Sequence, residues 1–121
     1  MKKSITENSW SHNMGWYEFV NKSERTINQE LSHEQQISNA IFGLHGELGE
    51  VTDSIKKQLY QGHTLSKDDL EEEIGDMLFY LAWLFRLYNI DMETVLEKNV
   101  EKLKKRYPDG FDVERSIKRG E

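Results

Sequence analysis

From Met14 to Arg106 the chain contains no proline, and its one proline, Pro108, lies near the end. Proline is the residue that most reliably breaks a helix, because it lacks the N–H and clashes with the preceding turn. Its absence leaves the whole stretch free to propagate helix. Within it, Ile37, Ile41, Leu44, Leu48, Val51, Ile55 and Leu59 recur at steps of four and three. That period is one stripe of an amphipathic helix and does not fit the two-residue alternation of a strand.

The helix boundaries follow from local chemistry. A first helix is expected over 14–27, carrying Trp16, Phe19, Val20 and Ile27. Ser32 with Gln35 has the spacing of a capping box, so a second helix is expected over 33–61, with Gly62 as its stop. Ser66 with Asp69 opens a third, over 67–88, with the stripe Leu70, Ile74, Met77, Leu81, Leu84 and Tyr88. Asp91 caps a fourth, over 92–106, with Val95, Leu96, Val100 and Leu103 expected to face inward. Pro108-Asp109-Gly110 ends it. The predicted architecture is all-α: an antiparallel bundle of about four main helices with short loops, completed by oligomerisation. The expected organisation is a flexible N-terminal arm over 1–13, a helical domain over 14–111 and a C-terminal tail over 112–121.

Composition narrows the partners. The net charge of −6 argues against nucleic acid, which selects a basic face. The longest apolar run, Met77 to Phe85, is nine residues, about half of a membrane span. There is no cysteine, hence no disulfide and no thiolate metal site. Ser4 to Asn13 has no apolar segment of the kind a signal peptide needs. These features predict a cytoplasmic protein with neither a nucleic-acid nor a membrane partner.

Two pairs of acids carry the chemistry. Glu47 and Glu50 stand three residues apart on the second helix, and Glu73 and Asp76 repeat the spacing on the third, with 22 residues between Glu50 and Glu73. At this spacing each pair shares a helix face beside the apolar stripe. A short connection makes the two helices antiparallel neighbours, so the pairs can converge. Converging carboxylates repel unless a cation lies between them, and an all-oxygen set favours a hard ion such as Mg²⁺. Such an ion would neutralise nucleotide phosphates and lower the pKa of bound water. Solvated acids on an exposed helix face are the plainer alternative, and the macrodipole accounts for Asp68 and Asp69 in a first turn. Gly43, Gly46 and Gly49 flank the first pair. Each costs roughly 1 kcal/mol relative to alanine inside a helix, so close approach of a backbone, a helix or a ligand is expected there.

Gly-Glu-Leu-Gly-Glu-Val-Thr-Asp at 46–53, Glu-Glu-Ile-Gly-Asp-Met-Leu-Phe-Tyr-Leu at 72–81 and Asn-Val-Glu-Lys-Leu-Lys-Lys-Arg-Tyr-Pro-Asp-Gly-Phe at 99–111 resemble the MazG-like nucleotide pyrophosphohydrolases of the all-α NTP pyrophosphohydrolase superfamily. The likeness runs from about Tyr17 to Phe111 and fits the single-domain members. It implies a hydrolase that cleaves (deoxy)nucleoside triphosphates between the α and β phosphates, giving the monophosphate and pyrophosphate. It also implies dependence on Mg²⁺, with Mn²⁺ able to substitute, and homodimers or homotetramers. By this resemblance Glu47, Glu50, Glu73 and Asp76 bind the metal, and Glu50, with Glu47, serves the attacking water. Asn99, Lys102 and Arg106 share a face of the fourth helix and are candidates for the phosphates and sugar, with Tyr107 beside them and Lys57 as a further cation. Trp16, Tyr17, Tyr80 and Trp83 are candidates for stacking on a base, or ordinary core aromatics. Two alternatives stay open: a pyrophosphohydrolase for another substrate such as phosphoribosyl-ATP, and a non-enzymatic acidic bundle that binds a partner protein.

Overall fold

The computed structural model describes residues 14–118, so the arm at 1–13 and the end of the tail at 119–121 lie outside the described residues. Five helices follow in order: α1 Trp16–Glu24, α2 His33–Tyr60, α3 Lys67–Leu87, α4 Met92–Arg106 and α5 Val113–Lys118. No strand occurs among the described residues; the protein is all-α. The helices belong to two compact units, one ending at Leu84 and the other beginning at Phe85.

The expected caps set the boundaries. Ser32 and Gln35 form a reciprocal capping box: the Gln35 N–H donates to Ser32 Oγ at 3.2 Å, and the Ser32 N–H donates to Gln35 Oε1 at 2.9 Å. Ser66 Oγ accepts from the Asp69 N–H at 3.3 Å, and Asp91 Oδ2 from the Thr94 N–H at 3.0 Å. At the end of α2, the N–H groups of Gln61 and His63 both donate to the Lys57 carbonyl, and Gly62 takes φ +71°. At the end of α3, Asn89 takes φ +51°; its N–H donates to Arg86 O, and the Ile90 N–H donates to Phe85 O. These are the two bonds of a Schellman motif, with asparagine in the usual glycine place. Helix α1 ends three residues before the expected Ile27. Its last turn tightens as the N–H groups of Thr26 and Ile27 bond three residues back, to Ser23 and Glu24, and Thr26 Oγ1 donates to Ser23 O at 2.7 Å. The stretch read as a tail includes α5, opened by Asp112, whose Oδ1 accepts from the N–H groups of Glu114 and Arg115.

In the first unit α2 and α3 pack antiparallel. Trp83 Nε1 donates to Gln36 Oε1 at 3.1 Å, and the Tyr80 ring lies over Gly43. Positions that rise along one helix meet positions that fall along the other. A β-carbon at Gly43 would stand 2.2 Å from the Tyr80 ring, so glycine there is a requirement of the pairing. Gly46, Gly49 and Gly75 have open space around them, and the close approach expected at Gly46 and Gly49 is not made among the described residues. Ala40 and Ala82 are buried at the same interface, with Trp83, whose ring stacks on Tyr80 at 6.3 Å and 22°. Trp83 is therefore a core residue and not a free stacking platform. Among the described residues of this unit, Val20 and Ile27 are also buried.

The apolar stripes are only partly covered. Leu48, Ile55 and Leu59 of α2 are exposed, Leu59 at 64%. On α4 the expected inward face is not inward: Val95, Leu96, Val100 and Leu103 are all exposed, Leu96 at 55%.

The contrast between the glycines can be measured. Gly43→Ala should lower stability by about 1–3 kcal/mol, because overpacking against Tyr80 outweighs the gain in helix propensity. Gly46→Ala, with nothing within 4 Å, should raise it by up to about 1 kcal/mol. Thermal or urea unfolding of the two variants checks both signs.

Candidate metal centre

The antiparallel register of α2 and α3 brings the second acid pair opposite the first. Carboxylate oxygens of Glu47, Glu73 and Asp76 all lie within 4.8 Å of one another. Glu47 and Glu73 are half-buried and Asp76 is exposed. Glu50, one turn beyond Glu47, is exposed and stands close enough to Glu73 for the two carboxyls to interact directly. The structure thus gathers all four predicted acids, three into a tight group and Glu50 at its edge.

The electrostatics of the group are unfavourable by itself. Glu47 Oε2 and Glu73 Oε2 are buried, and neither has a hydrogen-bond donor. The Glu50 carboxyl is pushed above its ordinary value, first by a hydrogen bond to Glu73 and then by the charge of Glu73. Glu73 is likewise raised, first by its hydrogen bond to Glu47. A hydrogen bond between two carboxyls exists only while one of them holds a proton. With the group fully ionised, the same oxygens face each other as bare acceptors. Protons or a cation must relieve that repulsion. An all-oxygen set with two orphaned buried atoms fits a hard divalent ion. No other group of this kind occurs among the described residues.

The remaining candidates are placed elsewhere. Lys57 Nζ is 2.8 Å from Asp53 Oδ2, and the Lys57 ammonium holds the Asp53 carboxyl below its ordinary range. Lys57 is thus engaged with the acid one turn back, which leaves it a weaker candidate for phosphate than its position on the helix suggested. Asn99, Lys102 and Arg106 lie on α4 in the second unit. Tyr107 caps that helix, its N–H donating to Leu103 O at 2.8 Å, and its ring tilts against Phe111 at 5.5 Å. Lys102 and Arg106 line an open groove of about 650 Å³, together with Glu97, Lys98, Glu101 and Lys105. Asn99 is not among its lining residues. Lys98 and Lys105 fell outside the sequence-derived face; their signal was a cation recurring at helical spacing on the adjoining side of Lys102.

A pH dependence follows, with a definite sign. Glu50 and Glu73 bind protons more readily in the folded protein than in the unfolded chain. Their contribution to stability is therefore present below the ordinary glutamate value of 4.5 and is lost as pH rises through their raised values. In chelator the melting temperature should fall as pH rises from this range towards neutrality. Added Mg²⁺ should flatten the slope, and Glu73→Gln should raise the metal-free melting temperature at neutral pH. Melting curves across pH, with chelator and with Mg²⁺, test all three.

The comparisons with known proteins bear on this geometry. The "Gene 37 protein" of Mycobacterium phage L5 is 34% identical over 74 residues, 58% of this chain and 65% of that protein. The chain thus spans slightly less than two thirds of that relative's length. No solved structure matches the chain. The model of the MazG nucleotide pyrophosphohydrolase domain matches residues 35–111. That span takes in nearly all of α2, both acid pairs and the whole of α4, well over half the chain, and makes this protein a member of the MazG nucleotide pyrophosphohydrolase family.

Proposed function

We propose that the protein hydrolyses (deoxy)nucleoside triphosphates between the α and β phosphates, releasing the nucleoside monophosphate and pyrophosphate in a Mg²⁺-dependent reaction. The observation that carries this reading is the pair of buried, donorless oxygens, Glu47 Oε2 and Glu73 Oε2, set in a three-carboxylate cluster inside the span matched by the family. Glu47, Glu50, Glu73 and Asp76 would hold the metal. When bound, a divalent ion supplies charge neutralisation at the phosphate oxygens and a water of lowered pKa.

The chain's own residues have separable tasks. Glu47 and Glu73, half-buried and donorless, provide the fixed part of the ligand set. Asp76 and Glu50 are the exposed members, able to adjust to substrate. Glu50 stands at the edge of the tight group and orients or deprotonates the attacking water. Lys102 and Arg106 bind phosphate oxygens, Arg106 with a guanidinium suited to two parallel hydrogen bonds, and Asn99 and Tyr107 offer neutral partners.

The exposed apolar residues of α2 and α4 support self-association as a dimer or tetramer. Light scattering on the purified chain should give a mass at least twice that of the 14.3 kDa protomer; a monomer would remove this part of the reading.

The activity is tested by incubating the protein with nucleoside triphosphates and resolving the products. Monophosphate plus pyrophosphate, formed only with divalent metal, is expected. Diphosphate plus orthophosphate would mean a different bond is cut. Glu50→Gln should lower turnover by roughly 10²–10⁴-fold, and Asp76→Asn should also abolish measurable turnover, each with unchanged helical circular dichroism.

A further inference from the structure

The groove on α4 is bounded by four cations, Lys98, Lys102, Lys105 and Arg106. At 100° per residue all four fall within about 100° of helix surface, with Lys98 and Lys105 to one side of Lys102 and Arg106 to the other. None of them is ion-paired with a described residue. Glu101 is matched instead with Lys104 at 3.5 Å, and Glu97 lies at the far edge, away from Arg106. Like charges at i, i+4, as in Lys98–Lys102 and Lys102–Arg106, are destabilising. The macrodipole favours cations only in the last turn, which here holds Lys104, Lys105 and Arg106. It does not account for Lys98 and Lys102. The stripe rises about 12 Å from Lys98 to Arg106, too long for a single phosphate to meet both ends.

We propose that Lys98 and Lys105 join Lys102 and Arg106 in one stripe that binds a linear polyphosphate, either the triphosphate of a substrate or the pyrophosphate released from it. The identity of that ligand rests on the function proposed above; the stripe itself stands on the groove and its unpaired cations. Lysine ammonium groups on flexible stems suit a chain of oxygens in varied positions, and the arginine adds a directional contact. The two outlying lysines widen the anion surface beyond the face shared by Asn99, Lys102 and Arg106.

Titration calorimetry of the full chain with inorganic tripolyphosphate, pyrophosphate and orthophosphate tests this without turnover. The wild type should bind tripolyphosphate and pyrophosphate more tightly than orthophosphate. The Lys98→Gln/Lys105→Gln double variant should bind tripolyphosphate about fivefold more weakly, with a shallower salt dependence and unchanged helicity. The proposal is overturned if the double variant binds as the wild type does while Lys102→Gln loses affinity. It is equally overturned if the wild type shows no preference for linked phosphates, or prefers a single-stranded oligonucleotide to tripolyphosphate. Polyphosphate binding in the expected pattern, with no triphosphate hydrolysed, would leave the stripe standing and remove the proposed reaction.

Discussion

The repulsion among Glu47, Glu50, Glu73 and Asp76 is the constraint on which the rest of this structure turns. A chain that only had to fold would place these acids in solvent, one helix face apart. Here the α2–α3 pair is held antiparallel, and Glu47, Glu73 and Asp76 close to within 4.8 Å. Two carboxylate oxygens are buried with no donor. Such an arrangement persists only if the surrounding packing determines it, or if a positive ion completes it.

The packing that does so is small in extent. Gly43 admits the Tyr80 ring, Ala40 and Ala82 are buried, and the Trp83 indole is tied to Gln36. All of these contacts lie on one side of the acids, toward the start of α2 and the end of α3. Toward the loop joining the two helices, Ile55 and Leu59 are exposed, and Gly46, Gly49 and Gly75, interleaved with the acids, face open space. The acids thus stand where the closely packed half of the helix pair gives way to the open half. This suits a site that must be fixed on one side and accessible on the other.

Charge is distributed with the same logic. Asp53, one turn beyond Glu50, is neutralised by Lys57, so it adds little to the field at the four acids. On α4 the acids Glu97 and Glu101 sit to one side of a stripe of cations that pair with no described residue. One unit carries concentrated negative charge and the other concentrated positive charge.

Most local signals were legible in the sequence; the early end of α1 at Glu24 and the short α5 opened by Asp112 were not. Proline-free length, a four-and-three apolar repeat and side-chain caps at Ser32, Ser66 and Asp91 determine helices almost to the residue, because those forces act within one or two turns. The i, i+3 spacing of the two acid pairs is equally local, and a hairpin of neighbouring helices then makes their meeting predictable. What only the tertiary structure decided are matters of distance and coverage. It placed Gly43 alone among the described glycines under a ring, put Glu50 at the edge of the carboxylate group, gave Lys57 to Asp53, and left the apolar face of α4 exposed. None of these follows from periodicity. A stripe records that a face is apolar but not whether a neighbour reaches it, and a charge in sequence does not record which opposite charge it will find.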